Sequence, residues 1–178
     1  CRKEGRYLLV GALICLFFYH KKQWKLYLFT AVTGFMMMFY MMGININDLY
    51  SMSCERRGRL EYTRSKTKTR NNHEQIPLSI KIEPELRILL EKYTEGYFLS
   101  YFHTNYCNLN NFMRAVNNGL KDICMNLELD FKITTNWARH SWASLARNKA
   151  GVPKADIDFC LGHVNNDYKM ADIYIDID

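Results

Sequence analysis

The chain of 178 residues lacks the cysteine patterns that define a metal site or a disulfide framework. Its six cysteines are scattered, with no C-x-x-C pair and no cluster of cysteine and histidine at metal-ligand spacing. No metal site is therefore predicted, and reduced thiols in a cytoplasmic protein fit best. Internal repeats and low-complexity segments are also missing, and a single globular domain remains the expectation.

Acidic residues are the minority. The 18 Asp and Glu residues stand against 24 Lys and Arg residues, which gives a net charge of +6 and a pI near 9.0. This balance favours a polyanionic partner without identifying one. Hydrophobic residues make up 48% of the chain, enough to bury one sizeable core. We therefore expect one domain over residues 1–178, in which residues 1–25 have no clear assignment.

Long hydrophobic runs occur only in the N-terminal third, where two of them flank the basic segment HKKQWK. The first, YLLVGALICLFFY, is shorter than the roughly 20 residues that a membrane-spanning helix needs. The second, LYLFTAVTGFMMMFYMMGI, is long enough, so a small membrane protein is one interpretation. We favour the other, a helix rich in methionine and aromatic residues that is buried on all sides within a helical domain.

Proline and glycine are few, 3 and 9 residues, and several of them mark the ends of elements. After Gly43, either Asn45 or Asn47 is expected to cap a helix that has Asp48 in its first turn. The segments RLEYT and EQIPL alternate around a very basic connection, which predicts an antiparallel β-hairpin with a cationic tip. Pro77 indicates an edge strand or the end of a strand.

The remainder of the chain is predicted to be mostly helical. Helices are expected from Pro84 onward, across residues 105–127, from Thr134 or Thr135 to Gly151, and from Pro153 to Gly162. In the second of these, Phe112, Val116 and Leu120 form one apolar stripe. The predicted fold class is α+β, mostly α-helical, with a small antiparallel β-hairpin or sheet.

Arg139 stands in the middle of an apolar helical segment, between Trp137 and Trp142. An arginine cannot be neutralised and must be paired when it is buried, and its planar fork suits a phosphate. His163 follows the glycine that ends a predicted helix, and Tyr174 lies in DIYI near the end of the chain. Taken singly, these side chains fit ordinary structural roles. Together with a basic hairpin, they are the parts needed for phosphoryl transfer through a phosphotyrosine without a metal.

The ordered combination resembles the catalytic domain of the tyrosine recombinase (phage integrase) family, from about residue 26 to residue 178. The motifs that carry the resemblance are GININDL, RSKT, ARHSWAS, LGH and DIYI. The resemblance implies that Arg139 is the second catalytic arginine and that Asn136 occupies the polar position three residues before it. It also implies that His163 is the family's histidine and that Tyr174 is its nucleophile. Tyr168 is the competing nucleophile, but it lies only five residues after His163.

The resemblance further implies that Lys66 is the hairpin lysine, with Lys68 as the alternative. Arg64, Lys68, Arg70 and His140 are the expected DNA-binding residues. The implied reaction is site-specific DNA recombination through a 3′-phosphotyrosyl bond, and it needs no cofactor. The implied partners are double-stranded DNA and further copies of the chain, with no membrane involved. The N-terminal core-binding domain of the family is not expected within residues 1–178.

One position departs from the family pattern. The family's GLRxxEL turn supplies a first catalytic arginine, but this chain has Asn45 there, and Met42 precedes the glycine. Either Arg56, Arg57 or Arg64 reaches the phosphate instead, or the site is weakened. A catalytically silent DNA-binding relative is therefore the alternative function.

Overall fold

The computed structural model of the chain describes residues 26–52, 55–65, 77–91 and 100–162. The helices are α1 (Leu26–Tyr40), α2 (Ile46–Ser51), α3 (Pro84–Glu91), α4 (Ser100–Asn105), α5 (Leu109–Asn126), α6 (Thr135–Asn148) and α7 (Lys154–Cys160). The strands are β1 (Glu55–Arg56), β2 (Arg59–Tyr62) and β3 (Leu78–Lys81), which form one antiparallel sheet in the order β1-β2-β3. This confirms the predicted fold class.

Helix α1 is the second long hydrophobic run, and it lies in the core of the domain. Ala31, Phe35, Met37 and Met38 are all buried, although they point to different sides of the helix. The helix packs chiefly against α5 and α6. Among the described residues, no helix is both long enough and apolar enough to cross a membrane. The prediction of a buried helix is confirmed for this run, and the first run lies outside the described residues.

Helix α5 presents the predicted apolar stripe to the core. Phe112, Val116 and Leu120 are fully buried. The helix starts later than predicted, because the side chain of Asn108 caps it by accepting the backbone N–H three residues on (2.9 Å). The segment predicted as one helix from residue 105 is therefore divided, and α4 ends at Asn105.

The sheet differs from the predicted hairpin in its second strand. The sequence placed that strand in EQIPL, whereas β3 begins at Leu78, the last residue of that segment; residues 74–76 lie outside the described residues. Proline has no N–H for the ladder, so it stands just before the strand. Leu60 of β2 lies opposite Ile80 of β3, and both side chains are buried on the inner face.

The third strand, β1, was not predicted. It joins β2 through a two-residue turn in which Arg57 and Gly58 have φ values of 50° and 72°. Positive φ at both central residues is typical of the tight type I′ hairpin turn. The turn places Arg56 directly opposite Arg59, and both side chains are exposed.

Candidate active site

Arg139 is buried in the middle of α6, with only 2% of its surface exposed. Its Nη1 donates a hydrogen bond to the carbonyl oxygen of Gly43, and its Nη2 donates one to the carbonyl oxygen of Leu161 (3.1 Å). The first acceptor lies in the turn after α1, and the second lies in the turn after α7. One guanidinium therefore connects two turns that are far apart in sequence, and both turns belong to motifs of the family resemblance.

Gly43 is packed directly against α6. A Cβ atom at this position would lie 3.1 Å from the Cα of Arg139 and 3.2 Å from the Cδ2 of Leu161. Its φ of +69° is also in the left-handed region, which favours glycine. The glycine thus permits both the turn after α1 and the close approach that brings its carbonyl to the guanidinium.

We expect Gly43→Ala to destabilise the domain much more than Gly58→Ala does. Both glycines have a left-handed φ, and a side chain there costs about 1 kcal/mol. At Gly58 a Cβ would meet nothing within 4 Å, whereas at Gly43 it would meet the backbone of α6. Such overpacking adds about 1–3 kcal/mol, so we expect a total loss of about 3 kcal/mol at Gly43. Urea denaturation measures both losses, and equal losses would contradict the tight contact.

The turn after α7 is held by its own small apolar cluster. Leu161 is buried and packs with Ala143 of α6 and Ile157 of α7. The backbone N–H groups of Leu161 and Gly162 donate to carbonyl oxygens of α7 at 2.9 and 2.8 Å. These contacts fix the carbonyl groups of both residues, and the carbonyl of Leu161 is the one that accepts from Arg139.

Arg64 reaches the same turn from the segment after β2. Its side chain is half-buried, and its Nη1 donates to the carbonyl oxygen of Gly162. A Cβ at Gly162 would lie 2.9 Å from the Cδ of Arg64 and 3.3 Å from the Cδ1 of Leu78. Arg139 and Arg64 therefore donate to the carbonyl groups of two consecutive residues, Leu161 and Gly162.

Asp48 anchors the segment that carries Arg64. Its buried carboxylate accepts two hydrogen bonds from Ser65, from the backbone N–H at 2.9 Å and from Oγ at 2.6 Å. Because Asp48 belongs to α2, these bonds attach the segment after β2 to the helix that follows the Gly43 turn. The chain is thereby fixed at Ser65, the residue that precedes Lys66 in the sequence.

The phenol of Tyr62 lies within the electrostatic influence of the same groups. Burial raises the pKa of Tyr62, and the Asp48 carboxylate raises it further. The guanidinium groups of Arg139 and Arg64 act in the opposite direction and lower this pKa, by less than burial raises it. The positive charges of Arg139 and Arg64 therefore both act at the Tyr62 phenol, which stays neutral.

Asn45, at the position of the family's first arginine, is a helix cap. Its Oδ1 accepts a hydrogen bond from the backbone N–H of Asn47 at 3.0 Å, at the start of α2. Of the two predicted caps, the structure confirms Asn45. Met42, before the glycine, is half-buried and has a φ of 55°. Neither position supplies a cation.

The remaining residues that the sequence predicted for the site are spread over several elements. Asn136 is exposed in the first turn of α6, and His140 is half-buried on the same helix. Arg56 and Arg57 are exposed at the end of β2 opposite to Arg64. Within the described part of the chain, no group of Asp, Glu, His and Cys side chains could hold a metal ion. The following predicted residues lie outside the described residues and stay predictions: Lys66, Lys68, Arg70, His163, Tyr168 and Tyr174.

Two solved structures share this fold. The crystal structure of XerA recombinase matches with a TM-score of 0.58, at 12% identity, over 100% of this chain and 58% of that chain. The crystal structure of a lambda integrase dimer bound to a COC′ core site matches with a TM-score of 0.60, at 18% identity, over 96% of this chain and 46% of that chain. Both are tyrosine recombinases, the family that the sequence resembles, and the likeness confirms the predicted fold.

The chain spans about half the length of the two proteins that it matches. No protein-family model matches the chain, and no curated protein matches its sequence.

Proposed function

We propose that the chain recombines DNA at specific sites, cleaving and rejoining strands through a 3′-phosphotyrosyl bond to Tyr174. The observation that supports this most strongly is the meeting of three distant segments around two arginines. The turn at Gly43 and the turn at Leu161 both bind Arg139, and the segment after β2 brings Arg64 to the second turn. Each segment contains one of the motifs on which the family resemblance rests.

The neighbours of these segments in sequence support the remaining assignments. Lys66 directly follows Ser65, which Asp48 binds through two hydrogen bonds. His163 directly follows Gly162, whose carbonyl accepts from Arg64. We therefore retain Lys66 as the acid that protonates the leaving oxygen, with Lys68 as its alternative, and His163 as a donor to the phosphate.

In the proposed reaction the phenolic oxygen of Tyr174 gives its proton to a solvent water and attacks the scissile phosphorus. The bond from phosphorus to the 5′-oxygen breaks, and Lys66 gives that oxygen a proton. Arg139 stabilises the charge that develops on the non-bridging oxygens. Its two carbonyl contacts hold the guanidinium plane in place before the substrate binds, which is the preorganisation that such stabilisation requires. Attack by another 5′-hydroxyl reverses the step, so no cofactor is consumed.

The charge on the β1–β2 hairpin supports double-stranded DNA as the partner. Arg56 and Arg59 face each other across the hairpin, with Arg57 in the turn between them. Like charges directly opposite each other destabilise a hairpin, and DNA phosphates would neutralise them. These residues extend the basic surface proposed for Arg64, Lys68, Arg70 and His140.

The assembly is proposed on the same grounds. One comparison structure is a lambda integrase dimer on its core site, which supports several copies of this chain on one DNA. We propose that residues 1–178 act as the catalytic domain, and that a separate DNA-binding domain would complete the clamp. The compartment would be the cytoplasm, where the scattered thiols stay reduced.

The test uses the whole chain and a pool of nicked duplexes with randomised sequence around the nick. Cleavage next to a nick releases a short fragment, so the covalent intermediate cannot be resealed and accumulates. We expect an adduct that survives SDS, together with a new DNA end that polynucleotide kinase labels without prior phosphatase treatment. An adduct on a 5′-phosphate would contradict the proposed polarity.

A silent DNA-binding relative is the second candidate, because Asn45 caps α2 in place of a catalytic arginine. This candidate predicts that the chain binds duplex DNA with a steep dependence on salt and forms no adduct at any nick in the pool. The same experiment therefore separates the two functions.

A further inference from the structure

We propose that Arg64 binds the scissile phosphate beside Arg139 and supplies the positive charge that Asn45 does not. The proposal rests on the proposed function, since it names a second cationic residue of the same site. It concerns a residue outside the family's arginine positions, on the segment that leads into the basic hairpin tip.

The position of Arg64 is the first argument. Arg64 and Arg139 approach the turn after α7 from different elements and donate to the carbonyl oxygens of Gly162 and Leu161. Consecutive residues have Cα atoms about 3.8 Å apart, so the two guanidinium groups donate to neighbouring peptide groups of one turn. The two non-bridging oxygens of a phosphate are similarly close, and a pair of guanidinium groups can bind one oxygen each.

The electrostatic cost of this arrangement is the second argument. Arg139 is buried and Arg64 is half-buried, so their positive charges repel each other more strongly than they would in water. The Asp48 carboxylate acts in the same field and offsets part of this repulsion, and an anion that binds beside the two arginines would lower it further. The pKa of Tyr62 reflects the same field, because burial and the Asp48 carboxylate raise it, whereas Arg139 and Arg64 both lower it.

The contacts that hold Arg64 in one conformation are the third argument. The hydrogen bonds from Ser65 to Asp48 fix the backbone next to it. At Gly162 a Cβ would lie 2.9 Å from the Cδ of Arg64, so the stem of the arginine fills the space that the glycine leaves. A side chain held at both its base and its tip is prepared for a phosphate and loses little entropy when one binds.

The other residues that could replace the family's first arginine have no described contact with the turn after α7. Arg56 and Arg57 are exposed at the far end of β2. Arg59 donates to the Oγ and the carbonyl oxygen of Ser79 at 2.8 and 2.9 Å. Asn45 carries no charge, and its Oδ1 accepts the N–H of Asn47. Of these residues, only Arg64 has a described contact with the turn that also binds Arg139.

The test compares single-turnover rates of adduct formation on one nicked duplex recovered from the randomised pool. Removing one preorganised donor to the phosphate typically costs on the order of 100-fold in rate, which is the loss expected for Arg64→Ala. Arg64→Lys keeps the positive charge but lacks the planar fork, so its rate should lie between the rates of the wild type and of Arg64→Ala. The control is Arg114→Ala, which removes the same charge from an exposed position on α5 and should leave the rate unchanged.

A methylphosphonate at the scissile position separates a direct contact from a structural role. The methyl group replaces one non-bridging oxygen and removes the negative charge that Arg64 is proposed to neutralise. Arg64→Ala should therefore lose far less rate on this substrate than on the phosphate. An equal loss on both substrates, or an undiminished rate on the phosphate, would refute the proposal. Failure of the wild-type chain to form any adduct would instead refute the proposed function, before any variant is compared.

Discussion

Tyr174→Phe is expected to abolish the covalent protein–DNA adduct, whereas Tyr168→Phe is expected to retain it. Phenylalanine preserves the ring but removes the oxygen that attacks phosphorus. A phenol has a pKa of about 10 and is a poor nucleophile near neutral pH, so the attacking tyrosine must meet cations that favour the phenolate. Arg64 and Arg139 are the cations that we propose for this role; at Tyr62 both lower the pKa of a phenol, although burial outweighs them there. The measurement is the adduct yield on the recovered nicked duplex, resolved on an SDS gel.

The two tyrosine variants control each other, because they remove the same atom from two positions six residues apart. Both should bind duplex DNA with the affinity of the wild type. An adduct that persists in Tyr174→Phe and disappears in Tyr168→Phe would transfer the nucleophile to Tyr168. Loss of the adduct in both variants would contradict the assignment of a single nucleophile.

Local patterns in the sequence were sufficient to predict most of the helices. The apolar stripe of Phe112, Val116 and Leu120 follows from helical periodicity and is buried as expected. Asn45 was recognised as a possible cap because Asp48 follows it in the first turn of a helix. These features depend on residues within one or two turns of each other, so the sequence alone carries them.

The sheet was predicted less well because its signals are shorter. β1 contains only two residues, too few to produce an alternating pattern. The clue that remained was the pair Arg57–Gly58, whose positive φ values form the tight turn. In β3 the buried residues, Leu78 and Ile80, follow the proline, whereas the prediction used EQIPL, of which only Leu78 lies in β3.

Contacts in the candidate site join residues far apart in the chain, and a single sequence does not reveal such contacts. The order of motifs predicted Arg139 as a site residue, but its hydrogen bond to Gly43 joins residues 96 positions apart, and no local pattern encodes that bond. Arg56, Arg57 and Arg64 were equivalent stand-ins by sequence. Tertiary structure distinguishes them, because Arg64 is the one of the three with a described hydrogen bond to the turn after α7, and the next residue, Ser65, bonds to Asp48 of α2.

Arg139→Ala is expected to lower the free energy of unfolding as well as abolish the adduct. The substitution leaves the carbonyl oxygens of Gly43 and Leu161 without the donor that now binds them, inside the domain. A buried acceptor that loses its partner costs about 1–3 kcal/mol, so we expect a total of about 3 kcal/mol. Arg139→Lys should recover part of this loss, because one ammonium group can bind one of the two carbonyl oxygens well. Urea denaturation measures the stability of each variant.

The control for stability is Arg147→Ala on the same helix. Arg147 is exposed and donates to the carbonyl oxygen of Val152 at 3.3 Å, so its removal should change stability by less than about 0.5 kcal/mol. If Arg139→Ala were as stable as the wild type, the two turns would be held by other contacts. If Arg139→Lys regained stability but formed no adduct, the planar guanidinium would be required for binding the phosphate. That role would be separate from joining the two turns. An adduct formed at the wild-type rate by Arg139→Ala would instead assign the arginine to structure alone.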